Sequence, residues 1–203
     1  YPANEHPKVL QKPTIAYREM LSPDYIIGVA EEPTVLLWGD SNAAHFVGMF
    51  EVLLEGKPGG LRNVSHSACP PVLGDVSDFV SPRYLKRCDR SRFVVGEQLH
   101  HYETIVLSAS WETYLRRKEE FWDSFVATVD TVLESAEKVV IIGYLQRMPV
   151  GFDRSCLSKK SKVPMIDCGE ESLIFPGPSE YRFNQLAREL GNERSDVTFF
   201  DPN

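Results

Sequence analysis

Thr34–Phe50 reads T-V-L-L-W-G-D-S-N-A-A-H-F-V-G-M-F. Thr34–Trp38 is a short apolar run, the pattern of a strand buried on both faces. Gly39-Asp40 breaks it and Ser41 follows at once. Ala43, Ala44, Phe46, Val47, Phe50 and Leu54 then recur at helical spacing. This predicts a helix from about Asn42 to Glu55, ended by Lys57-Pro58-Gly59-Gly60. Strand, tight turn, exposed polar residue and helix together can hold a serine hydroxyl at the carboxyl edge of a parallel sheet. Ligands of open α/β sheets bind at that edge. The N–H groups at the helix start carry partial positive charge, suited to a developing oxyanion. A bland reading of G-D-S stands beside this one: a turn with Asp or Ser as N-cap.

The alternation continues along the chain. Strands are predicted at Leu61–Ser65, Thr104–Ser108 (T-I-V-L-S), Lys138–Ile142 (K-V-V-I-I) and Val197–Phe200. Helices are predicted at Arg90–His101, Glu119–Ala136 and Ser179–Leu190. Such alternation implies a parallel sheet with helices on both faces. Residues 1–33 hold five prolines and little periodicity, and read as an extended lead-in or linker before one domain over 34–203. Residues 149–178 form a long irregular insertion with four prolines. Asn63-Val64-Ser65 matches a glycosylation sequon, but on a predicted strand it carries little weight.

The 203 residues are 42% hydrophobic and 11% aromatic, enough for a packed core. A net charge of −7 argues against a nucleic-acid surface. No apolar run approaches the roughly 18–20 residues of a membrane span. The chain begins at Tyr1 rather than Met, and reads as an excised or mature domain. There is no Walker A, no Rossmann glycine fingerprint, no zinc-ligand spacing and no implied cofactor or metal. The four cysteines fall in two clusters, which suits local disulfides Cys69–Cys88 and Cys156–Cys168 and an oxidising compartment. Four reduced cysteines in a cytosolic protein are the alternative.

V-L-L-W-G-D-S-N-A-A-H-F resembles the first block of the SGNH (GDSL-like) esterase and acyltransferase superfamily. It is most similar to the SGNH domain fused to membrane acyltransferase-3 proteins, which O-acetylate bacterial surface polysaccharides. In that group the block usually reads W-G-D-S-H-A, so Asn42 departs from it. The loop Ser67-Ala68-Cys69-Pro70-Pro71-Val72-Leu73-Gly74 also resembles this group. The resemblance implies a three-layer α/β/α, flavodoxin-like fold with a central parallel sheet, and Ser41 as nucleophile. It implies an oxyanion hole drawn from Ser41, Ser67 or Gly74, and Ser110, with Asp40, Asn42 and Trp111 in support. Ser110 stands where the superfamily's third block has an Asn; Ser108-Ala109-Ser110-Trp111 fits the Trp-bearing variant of the membrane-linked group.

A serine hydroxyl needs a base to take its proton. In the superfamily that base is the His of a D-x-x-H motif after the last strand, and no D-x-x-H occurs in these 203 residues. Truncation, an inactive domain or a substitute base would each explain this. His45 reads as a helix-packing residue, His66 sits beside the C-P-P loop, His100 and His101 end a helix, and His6 lies in the lead-in.

Three functions follow as expectations. The first is the extracytoplasmic domain of a membrane O-acyltransferase, periplasmic or on the cell exterior. Its partners would be an acyltransferase-3 membrane domain that supplies the acyl group and a polysaccharide acceptor. The second is a free-standing secreted carbohydrate esterase. The third is a non-catalytic polysaccharide-binding domain that keeps the fold.

Overall fold

T-I-V-L-S, K-V-V-I-I and V-T-F-F become strands over the residues their β-branched and aromatic content predicts. The computed structural model describes residues 22–144, 165 and 181–203. Among these, β1 (Ile26–Gly28), β2 (Val35–Gly39), β3 (Gly60–Ser65), β4 (Thr104–Ser108), β5 (Lys138–Ile142) and β6 (Val197–Phe200) form one sheet. Its order is β1-β3-β2-β4-β5-β6. β1 runs antiparallel to β3 and every other neighbouring pair is parallel. The helices are α1 (Val47–Leu54), α2 (Pro82–Gln98), α3 (Trp111–Leu115), α4 (Phe121–Leu133) and α5 (Arg182–Glu193).

The chain leaves β2 for β3 on one side, then crosses back to β4 on the other. The carboxyl ends of β2 and β4 are therefore the topological switch point, where an open α/β sheet forms its crevice. Side chains alternate faces along a strand. By register, Gly39 and Phe200 share one face of the sheet and Phe199 lies on the other. Ala43, leading into α1, lies against Gly39, while α5 packs its Gly191 against Phe199. Helices thus cover opposite faces, giving the three layers. Leu36, Leu37, Trp38, Ile105, Leu107 and Ile141 fill the space between them and are almost fully buried. Burial of each such side chain stabilises by about 1.5–3 kcal/mol.

Several expectations are corrected. The helix after Ser41 opens as a 3-10 turn over Ala43–Phe46 and becomes α-helical only from Val47. Asp40 and Asn42 carbonyls take the first N–H groups, from Ala43 and His45, which tightens that turn. α2 begins at Pro82, well before the expected Arg90. Pro at the first helical position has no N–H to leave unpaired, and its fixed φ suits the start. Ile26–Gly28, inside the stretch read as a lead-in, adds an edge strand to β3. Asn63 and Ser65 are fully buried, so the sequon is closed to glycosylation in the folded chain. The Cys156–Cys168 disulfide and most of the 149–178 insertion lie outside the described residues.

Gly39 is the tightest point of the architecture. A Cβ there would stand 1.7 Å from the Ser108 carbonyl oxygen and 2.9 Å from the Ala43 side chain. Only glycine lets β2 and β4 close beside the turn. Gly39→Ala should cost more than about 3 kcal/mol in chemical denaturation or prevent folding. A variant within about 0.5 kcal/mol of the parent would contradict this packing.

Candidate active site

Asp40 organises the edge. Its carboxylate is 2% exposed, yet four donors reach it. Oδ1 accepts the Asn42 N–H at 2.8 Å and the Asn42 side-chain amide at 3.1 Å. Oδ2 accepts the Ser110 N–H at 3.0 Å and the Tyr114 hydroxyl at 2.8 Å. A buried carboxylate is tolerated when its lone pairs are filled in this way. Burial, and then the Asp40 charge, push the Tyr114 hydroxyl well above the usual phenol range, so it stays protonated and donates. Asp40 therefore clamps its own turn and ties it to β4's exit and to α3. Ser41, next in the chain, is left exposed at the tip.

Strand register places the neighbours. Gly39 pairs with Ser65 on β3 and with Ser108 on β4. The chain turns after Gly39, and Ser41, Ser67 and Ser110 each follow a strand end at this carboxyl edge. The Ser110 N–H is already committed to Asp40, and its hydroxyl shares a hydrogen bond with Thr113 at 2.8 Å. No described hydrogen bond takes the Ser41 N–H, whereas those of Asn42 and Ala43 go to Asp40. Gly74 is exposed; its neighbour Leu73 is held by Thr128 of α4 at 3.1 Å and Arg92 of α2 at 2.6 Å. Trp111 is fully buried, donates its indole N–H to the Ile142 carbonyl at 2.8 Å and stacks on Phe183 at 4.4 Å. It fixes how α3 meets β5 and α5.

The loop after β3 is immobilised. The Cys69–Cys88 disulfide ties it to α2, and Arg87 donates to the Ser67 carbonyl at 2.8 Å. Ala68 between them is held at φ 61°, a conformation costly for a residue with a Cβ. Such strain persists where the surroundings fix it, commonly at functional sites.

The histidines are resolved by position. His45 is exposed rather than packed. His100 and His101, with rings 4.0 Å apart, lead into the amino end of β4, at the edge away from Ser41. His66 follows β3 at the carboxyl edge, where its backbone N–H donates to the Gly39 carbonyl at 2.8 Å. Burial, and then the Arg87 charge, lower its pKa to about 4. It is neutral near pH 7 and too weak a base to match Ser41's need. His6 lies outside the described residues.

Sequence reading missed Tyr114, Arg87, Glu112 and Asn184. Glu112 is buried and accepts the Phe183 N–H at 2.8 Å, a carboxylate at the start of α5. Asn184 accepts the Tyr144 N–H at 2.6 Å and so fixes the exit of β5. An aromatic or amide with no place in an apolar stripe was the available signal; its partner, dozens of residues away, was not.

A serine exposed at the switch point of a three-layer α/β sheet, with a pinned loop beside it, defines an SGNH-type domain. The family described as "SGNH domain (fused to AT3 domains)" matches residues 14–203, and the chain belongs to that family. No curated protein sequence matches the chain. Among solved structures it is similar to the periplasmic domain of a lipopolysaccharide acetyltransferase from Salmonella ser. Paratyphi A. Identity is 12%, the TM-score is 0.66, and the match covers 93% of this chain and 72% of that one. At that identity the likeness is one of fold. Among the described residues no helix is long and apolar enough to cross a membrane.

His66 gives a pH test. The unfolded chain protonates this imidazole near pH 6.5 and the folded chain near pH 4. Between those values the unfolded state binds more protons, so stability falls as pH is lowered through the window. His66 adds up to about 1.4 kcal/mol per pH unit to that slope. Urea unfolding of His66→Asn should show a shallower slope from pH 6.5 to pH 4; an unchanged slope would contradict a buried neutral imidazole.

Proposed function

We propose that this chain is the extracytoplasmic domain of a membrane O-acyltransferase, with Ser41 carrying an acetyl group to a hydroxyl of a bacterial surface polysaccharide. The observation that carries this reading is Ser41 itself: exposed, at the switch point, on a turn locked by the buried Asp40 carboxylate. Membership of a family fused to acyltransferase-3 domains and the fold shared with a lipopolysaccharide acetyltransferase domain support it. The Cys69–Cys88 disulfide supports an oxidising compartment such as the periplasm. In this reading the domain is joined through its amino-terminal side to a membrane partner, which delivers the acyl group.

Ser41 Oγ attacks the acyl carbonyl carbon while a base takes its proton. The tetrahedral oxyanion is held by the Ser41 N–H, with Ser67, Gly74 and Ser110 as further candidate donors. Collapse breaks the bond to the donor's leaving group, which takes the proton from the base. A polysaccharide hydroxyl then attacks the acyl-serine, gives its proton to the base and leaves Ser41 with its own proton restored. No histidine among the described residues fits the base. We assign it to a histidine outside the described residues. β6 ends at the same edge as Ser41, and the Asn203 side chain donates to the Tyr144 carbonyl there at 3.0 Å.

A fluorophosphonate probe read by intact mass tests this. The full-length protein should take one adduct, lost in Ser41→Ala. A full-length protein that stays unlabelled would overturn the reading and leave a polysaccharide-binding domain.

A further inference from the structure

Two arginines at the start of α2 crowd one aromatic ring beside the edge that carries Ser41. Arg83 Cζ lies 4.3 Å and Arg87 Cζ 4.1 Å from the centre of the Tyr84 ring. This part of α2 is fastened to the edge: Arg87 donates to the Ser67 carbonyl at 2.8 Å and Cys88 is joined to Cys69. Ser67 follows β3 at the carboxyl edge that carries Ser41, one residue after His66, whose backbone N–H donates to the Gly39 carbonyl at 2.8 Å. Some arginines of the chain have carboxylate partners, as Arg182 has Glu119 and Arg188 has Asp201. Among the described residues Arg83 and Arg87 have none. In a chain of net charge −7, two cations are held together without a counter-ion. Like charges brought together repel, so the arrangement costs stability unless an anion joins it.

A second observation is independent of the charges. Three buried side-chain polar atoms among the described residues have no hydrogen-bond partner: His66 Nδ1, Arg87 Nε and Ser108 Oγ. All belong to residues at or fastened to this edge. His66 is 5% exposed, close enough to Arg87 for the guanidinium to bear on its charge, and electrically neutral. Buried polar groups are normally paired, and an orphan marks a place where a partner belongs. A guanidinium fork with an unused N–H matches the planar oxygens of a carboxylate or phosphate. A neutral imidazole adds a hydrogen bond without adding charge.

We propose that Arg83, Arg87 and His66 form an anion-reading subsite beside Ser41, which takes a carboxylate or phosphate group of an acidic saccharide in the acceptor polymer. The role of that saccharide as acceptor rests on the acyl-transfer reading of Ser41. Tyr84 holds the two arginines in order before the ligand arrives, and the Ser67 carbonyl orients Arg87. An acidic sugar seated here lies against the flank of Ser41, so the subsite selects which hydroxyl the serine serves.

Calorimetric titration of the chain at low salt tests this, with Tyr84 ring shifts in NMR as the local readout. The probes are trigalacturonate against its methyl ester, and mannose 6-phosphate against mannose. The acidic member of at least one pair should bind about tenfold more tightly than its neutral control, and lose that advantage as salt rises. The pair that shows the preference identifies the anion. Arg87→Gln should weaken binding about tenfold and Arg83→Gln about threefold. Lys57→Gln, the same charge loss on an exposed residue before β3 at the opposite edge, should leave it unchanged. Arg87 also anchors Ser67, so Arg83→Gln, on an exposed side chain, decides the matter if Arg87→Gln fails to fold. Equal binding of acidic and neutral probes, or no effect of Arg83→Gln, would overturn the subsite. Ser41→Ala should bind as the parent does. Acidic saccharides bound by a protein whose Ser41 resists the fluorophosphonate would keep the subsite and remove the acyl-transfer reading. A labelled Ser41 with no preference for acidic probes would do the reverse.

Discussion

Asp40 is a charge taken out of water and given four hydrogen bonds in exchange. Desolvating a carboxylate costs several kcal/mol, and only well-placed donors offset it. Here the donors come from three places: the residue two ahead in the same turn, the exit of β4, and α3. The carboxylate can be satisfied only when those three segments are assembled. The turn that presents Ser41 is thus conditional on the whole switch point being built, and once built it has little freedom. Under the proposed acyl transfer, the Ser41 hydroxyl gains from such fixed geometry, because orientation is supplied before the reaction starts.

The same edge carries strain and unpaired groups. Ala68 is held in the left-handed region, and His66, Arg87 and Ser108 each keep a buried polar atom without a partner. A fold built only for stability would remove these features. Their clustering around the ends of β2, β3 and β4 agrees with a ligand site at the switch point, and the disulfide at Cys69–Cys88 offsets part of their cost. A loop closed over a separation of 19 residues is worth about 3 kcal/mol.

The sheet was legible because its strands are continuous β-branched runs bounded by turn residues. The turn that exposes Ser41 was legible because W-G-D-S joins a strand to a helix across it. α2's first turns were hidden because its apolar stripe is thin: Cys88, Ser91 and Val95 are its buried residues, and the Ser81-Pro82 start was the cue left unused. β1 is three residues long and exists by pairing with β3, not by a pattern of its own. Tyr114 completes the Asp40 network from a position 74 residues away, which no local periodicity can announce. Ser110 was expected to stand in for an Asn through its hydroxyl; the fold shows that hydroxyl sharing a hydrogen bond with Thr113 and the backbone N–H given to Asp40, contacts a linear motif does not reveal.

The most direct test of the central claim is a crystal structure of the protein carrying a phosphonate bound to its reactive residue. The account predicts phosphorus on Ser41 Oγ, the Asp40 contacts to Ser110 and Tyr114 unbroken, and the phosphoryl oxygen at the Ser41 N–H between Ser67 and Ser110. A phosphonate on another residue, or an Asp40 turned out of its network to admit it, would contradict it.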